Sequence, residues 1–88
     1  MSQIGNKKTP EVVVYTTDYC PYCRAAKDLL RSKGIAYVEK DVTDDEAMRE
    51  KLVQMTGGRT TVPQIFVDGK AMGGYDDLAT FFRNGGVL

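Results

Sequence analysis

The stretch Tyr19-Cys20-Pro21-Tyr22-Cys23-Arg24 constrains this chain more than any other, and it holds both of its cysteines. An apolar run, Val12-Val13-Val14-Tyr15-Thr16, comes just before it, and a helical pattern ending at Gly34 follows. Two thiols separated by two residues at a strand-to-helix junction read as a redox motif. The spacing lets a disulfide close within the first turn of the helix without unfolding it. Pro21 suits the first helical position, where its missing N–H costs nothing and its fixed φ is already helical. Cys20 then stands at the helix N-terminus, where free N–H groups and the helix dipole favour an anionic sulfur. The thiolate is the reactive species, so Cys20 is the candidate nucleophile and Cys23 the resolving thiol. Two other uses of such a pair compete. A structural disulfide across so small a loop removes little unfolded-state entropy. A zinc site needs about four ligands, and with no histidine and no third cysteine it would have to be shared between chains.

Eighty-eight residues are enough for one small core. Twelve basic and twelve acidic side chains cancel, which leaves no general electrostatic case for nucleic-acid or membrane binding. The first residues, Met1 to Lys8, contain no apolar signal region, and no apolar run approaches the roughly 20 residues that span a bilayer. Two vicinal cysteines without a wider disulfide framework make a reducing cytoplasm the default compartment. Residues 1–10 are polar and expected as a flexible tail, with residues 11–88 as the folded domain, read as a monomer.

Along the chain, Glu11 to Thr16 is expected as a central strand, apolar on both faces because helices cover both sides. A first helix runs from Pro21 to Lys33 with Ala25, Ala26, Leu29 and Leu30 on its apolar face and Gly34 as its stop. Ile35 to Lys40 reads as the second strand, joined to the first by a right-handed crossover and parallel to it. Thr43-Asp44-Asp45-Glu46 has the pattern of a capping box opening a second helix, in which Met48, Leu52 and Met55 recur at core spacing. Gly57-Gly58 ends it. Gln64 to Val67 is a third strand, and Asp68-Gly69 is a two-residue hairpin signal returning through Lys70 to Met72. A third helix starts near Asp76-Asp77, uses Leu78, Phe81 and Phe82, and stops at Asn84-Gly85-Gly86. The order is β-α-β-α-β-β-α, an α/β fold with three helices on a four-stranded mixed sheet.

Cys20-Pro21-Tyr22-Cys23, Thr61-Val62-Pro63 and Gly73-Gly74-Tyr75-Asp76-Asp77, in this order and spacing, resemble a dithiol glutaredoxin of the thioredoxin fold. The resemblance spans about Glu11 to Gly85. It implies a glutathione-dependent thiol–disulfide oxidoreductase that uses the Cys20/Cys23 pair on protein disulfides and on protein–glutathione mixed disulfides. Glutathione would be a co-substrate, with no tightly bound cofactor and no metal, and the partners would be disulfide-containing or glutathionylated proteins. It further implies a cis bond before Pro63, with Val62 offering backbone groups to the cysteinyl part of glutathione and Thr61 shaping the same groove. The turn Gly74-Tyr75-Asp76-Asp77 would receive the γ-glutamyl end on its free N–H groups, an Asp side chain lying near the ammonium. The same two aspartates could equally cap the third helix. Tyr22 would flank the groove, and Arg59 would face the glycyl carboxylate.

One departure stands out. Lys or Arg commonly precedes the first cysteine of the family by three residues, and here that position is Thr17, followed by Asp18. The thiolate would then depend mainly on the helix terminus. A thioredoxin proper fits less well, since the chain has no tryptophan and carries Pro-Tyr between its cysteines. A cluster-bridging iron–sulfur carrier, as in related monothiol proteins, is disfavoured by Pro21 and the second thiol.

Overall fold

The structure is a computed structural model and describes residues 10–88; residues 1–9 of the expected tail lie outside the described residues. Seven elements follow one another: β1 Val12–Thr16, α1 Pro21–Ser32, β2 Val38–Asp41, α2 Glu46–Met55, β3 Gln64–Val67, β4 Lys70–Gly73 and α3 Tyr75–Arg83. The strands form one sheet in the order β2-β1-β3-β4. β1 pairs parallel with β2 and antiparallel with β3, and β3 pairs antiparallel with β4. This is the mixed sheet and element order of the thioredoxin fold.

β1 lies at the centre because it has something to bury on both sides. Val12 and Val14 pack with Ala26 and Leu30 of α1, Ile65 of β3 and Leu78 of α3. On the opposite face Tyr15 joins Val42, Leu52 of α2 and Phe66 of β3, with Val13 partly buried beside them. Leu30, Ile65 and Leu78 are fully buried, and each such side chain contributes about 1.5–3 kcal/mol of transfer free energy. Two small cores thus clamp β1, and the loop after it inherits that rigidity.

All three helices stop by one device, which α1 illustrates. Gly34, at φ +70, lets its own N–H reach Arg31 O and the Ile35 N–H reach Leu30 O. These paired bonds satisfy terminal carbonyls that would otherwise lack donors. The hairpin turn also matches expectation. Asp68 and Gly69 both have positive φ, as a tight turn matching the sheet's twist requires. Asp68 is tied to the start of β1, its N–H donating to Glu11 O at 2.8 Å and its Oδ1 accepting from the Glu11 N–H at 2.9 Å.

Three expectations need correction. The second strand covers Val38–Asp41, not Ile35 to Lys40. Ile35 and Tyr37 instead pack as loop residues against the Leu30 core, and β2 itself is an exposed edge carrying Glu39, Lys40 and Asp41. Charge on an edge strand discourages pairing with other chains. Thr43 does not cap α2. Its N–H donates to Asp41 Oδ1 and its hydroxyl accepts from the Asp18 N–H, so the cap falls to Asp45, whose carboxylate accepts from the Met48 N–H at 3.0 Å. Met55 is not core filler: it is 41% exposed, while Leu52 takes the buried position.

Candidate active site

Cys20 is the N-cap residue of α1 and Pro21 its first helical residue. The extended backbone at Cys20 turns its side chain back over the open end of the helix, where Sγ accepts from the Cys23 N–H at 3.1 Å. That donor is one of the N–H groups the helix leaves unpaired, so it supports negative charge on sulfur. On its other side the Cys20 thiol donates to the Val62 carbonyl at 3.6 Å. Cys20 is half-buried and Cys23 is buried; both are free thiols.

Cys23 sits beneath its partner. Burial, then the hydrogen bond with Cys20, pushes its thiol up from 9.0 to about 12, against weaker opposing effects of the Thr17 backbone and the Lys27 charge. Part of that rise comes from Cys20 itself, and it disappears once Cys20 sulfur is bonded to another sulfur. In the reduced pair Cys23 therefore holds its proton.

The expected groove is a real cleft of about 290 Å³. One wall is Thr61, Val62 and Pro63, with the Val62–Pro63 bond cis. The other is Gly74, Tyr75, Asp76 and Asp77 at the start of α3, and Tyr22 and Arg59 complete the lining. Tyr22 is 62% exposed, as expected of a flanking residue, and its ring lies 6.0 Å from that of Tyr75. The cleft reaches the thiols through Val62, which lines it and accepts from Cys20.

The two aspartates differ. Asp77 Oδ2 accepts from the Gly74 N–H at 3.0 Å and from Arg59 Nη1 at 3.2 Å. The Gly74 N–H first, and Arg59 after it, hold the Asp77 carboxyl below its usual 3.8. Both are exposed, but Asp77 is both the cap of α3 and the counter-charge of Arg59. The approach is tight: Gly73 has φ +126, and a Cβ there would stand 2.2 Å from Asp77 Oδ2 and 2.8 Å from its Cβ. Only glycine fits between β4 and this cap.

Two residues of the site were not marked as functional in the sequence. Gln64 is buried at the first position of β3, and its Nε2 donates to Thr61 O at 2.8 Å, bracing the loop that carries Val62. A polar side chain opening an otherwise apolar strand was the available signal. Thr17, marked only for its missing charge, is buried, and its Oγ1 has no hydrogen-bond partner among the described residues.

A dithiol at the open end of a helix, braced beside a cis-proline loop in this fold, defines a thiol–disulfide oxidoreductase. The glutaredoxin family model matches residues 12–72. The chain is 46% identical over 76 residues to glutaredoxin 3 of Escherichia coli K12, covering 86% of this chain and 90% of that one. A glutaredoxin of Pseudomonas aeruginosa is 43% identical over 76 residues, covering 86% and 89%. Among solved structures, a buckwheat glutaredoxin–glutathione complex superposes with a TM-score of 0.80 at 33% identity, covering 86% of this chain and 71% of that one. The glutaredoxin of Brucella melitensis gives 0.77 at 38%, covering 88% and 83%. The chain belongs to the glutaredoxin family, and it is a glutathione-dependent thiol–disulfide oxidoreductase.

Proposed function

We propose that Cys20 is the nucleophile, Cys23 the resolving thiol, and the cleft the seat of glutathione. The observation that carries this reading is the Cys20 sulfur bridging the α1 N-terminus and the Val62 carbonyl, at the mouth of a peptide-sized cleft. Cys20 thiolate attacks a disulfide sulfur, forming a Cys20 mixed disulfide and releasing the other sulfur as a thiolate. When the bound half is glutathione, its cysteinyl backbone pairs with that of Val62 beside Thr61 and Pro63. Its γ-glutamyl carboxylate meets the free N–H groups of Tyr75 and Asp76 beside Gly74, and its ammonium faces the Asp76 carboxylate. Arg59 takes the glycyl carboxylate, exchanging one carboxylate partner, Asp77, for another. Tyr22 and Tyr75 bound the cleft.

A second glutathione then releases the first, or Cys23 attacks Cys20 Sγ and the resulting disulfide is reduced by glutathione. The reaction cycle needs no bound cofactor beyond glutathione. Its partners are glutathionylated or disulfide-containing proteins, met by a monomer in the cytoplasm. Among the described residues no helix is long and apolar enough to cross a membrane. The test is glutathione-coupled reduction of a small mixed disulfide and of a protein disulfide. Cys20→Ser loses both activities, whereas Cys23→Ser keeps much of the first and loses the second. The reverse pattern would exchange the two roles.

A further inference from the structure

Beneath the thiols lies a polar chain that no part of the reaction described so far uses. Thr16, fully buried at the end of β1, donates its hydroxyl to Glu39 Oε2 on β2 at 2.8 Å. The same oxygen receives Lys27 Nζ at 2.9 Å, from α1. Lys27 follows Cys23 by four residues, which puts the two side chains on one helix face, a turn apart. Its side chain is only 20% exposed, so its charge is held rather than sampled. Lys27 and then Thr16 keep the Glu39 carboxyl below its usual 4.5, so the carboxylate is charged at neutral pH.

This chain solves a problem of the dithiol route. Cys23 is buried, yet it must become a thiolate to attack, and an uncompensated buried anion is costly. The groups acting on it are Cys20 and Lys27 on α1 and the Thr17 backbone after β1; Glu39 on β2 pairs with Lys27 from behind, and exposed Asp41 on the same strand acts on Glu39. Once Cys20 is in a mixed disulfide its own charge is gone, and among the described residues Lys27 is the cation that acts on the resolving sulfur.

We propose that Lys27, fixed by the Glu39–Thr16 pair, is a positioning residue for the resolving step, stabilising Cys23 thiolate as it attacks Cys20. The step is balanced within the site. The Cys23 thiol loses its proton and its sulfur bonds to Cys20 Sγ. The bond from Cys20 to glutathione sulfur breaks, and the departing glutathione thiolate takes up a proton. The inference rests on Cys23 being the resolving thiol.

The test follows reduced protein mixed rapidly with glutathione disulfide, quenched in acid and weighed by mass spectrometry between pH 6 and 9. Conversion of the Cys20–glutathione adduct to the internal disulfide is the readout. Lys27→Met is expected to slow this conversion about threefold to tenfold at pH 7, moving its pH profile upward by up to about one unit. Lys27→Arg restores most of the rate. Glu39→Gln keeps an oxygen to accept from Thr16 and Lys27 but deletes a negative charge, so it moves the profile downward and speeds conversion. Opposite shifts in Lys27→Met and Glu39→Gln distinguish an electrostatic role from a bracing one, which would slow both. Equal slowing, or no shift in either, overturns the proposal. Cys23→Ser checks the assignment beneath it: this variant stops at the adduct, and an internal disulfide forming without Cys23 would refute that assignment instead.

Discussion

Gly73→Ala puts the construction of the cleft to a quantitative test. The added Cβ would stand 2.2 Å from Asp77 Oδ2, 2.6 Å from Cγ and 2.8 Å from Cβ. Rotating the carboxylate away cannot relieve this, because the Asp77 Cβ is itself too close. The backbone at Gly73, with φ +126, is also one that L side chains resist, at about 1–3 kcal/mol. Displacing Asp77 removes the carboxylate that accepts from the Gly74 N–H, and a lost cap costs about 0.5–2 kcal/mol. The exposed Arg59–Asp77 pair adds little. The combined loss is about 2–4 kcal/mol, and in a domain of this size each kcal/mol lowers Tm by roughly 4–8 °C.

Thermal and urea unfolding of Gly73→Ala, Asp77→Ala and the double variant separate the contributions. Asp77→Ala alone costs about 1 kcal/mol. In that background Gly73→Ala retains its backbone strain and the 2.8 Å approach to the Cβ at position 77 but no longer displaces a cap, so the two losses are less than additive. Because the α3 N–H groups shift, KM for a glutathionylated substrate rises in Gly73→Ala more than kcat falls. Full additivity, or a loss below about 1 kcal/mol in the single variant, refutes the reasoning.

Cys23 predicts an alkaline limb. Above pH 9.0 the unfolded chain releases the Cys23 proton while the folded chain keeps it, so the folded state binds more protons and stability falls with rising pH. Urea midpoints from pH 8 to 11 should fall more steeply in wild type than in Cys23→Ala; parallel curves would contradict the raised thiol. Thr17→Val removes a buried hydroxyl with no partner among the described residues while keeping shape, and should stabilise the fold by about 1 kcal/mol, read from urea unfolding; a loss of stability would show that the hydroxyl is satisfied. Gln64→Leu leaves Thr61 O without its donor and should raise KM for glutathionylated substrate about threefold or more, given that a good neutral hydrogen bond is worth about 0.5–1.5 kcal/mol; an unchanged KM would mean that the loop holds itself.

What the sequence makes legible here is local. Pro21 at a helix start, Gly34 at its end and Asp68-Gly69 between two apolar runs each mark structure within a few residues, and each matches the fold. Two of the failures come from long-range partners. Ile35-Ala36-Tyr37-Val38 alternates like a strand, but its pairing begins only at Val38, opposite Val13, because Ile35 and Tyr37 turn into the core. Thr43 has the spacing of a cap, yet Asp18, twenty-five residues away, takes its hydroxyl. The lining of the cleft was legible through the family resemblance. The Arg59–Asp77 pair and the Thr16–Glu39–Lys27 chain were not, because they join residues 12 to 23 positions apart with no periodicity to mark them.

The tie between Asp68 and Glu11 has a bearing on how this protein is made. β1 needs a partner on each side, but the two arrive at different times: β2 ends at Asp41 and β3 at Val67. The stretch from Thr16 to Val67 takes roughly 3–10 s to synthesise at 5–20 residues per second. During that interval the N-terminal β1-α1-β2 unit can assemble, yet the second edge of Val12-Val13-Val14-Tyr15 stays open. An unpaired, valine-rich edge is a template for other chains. Only when the hairpin emerges and Asp68 closes onto Glu11 is that edge covered along its whole length. Truncated or slowly translated forms ending before Val67 should therefore aggregate, although every residue of the Cys20–Cys23 motif is already in place.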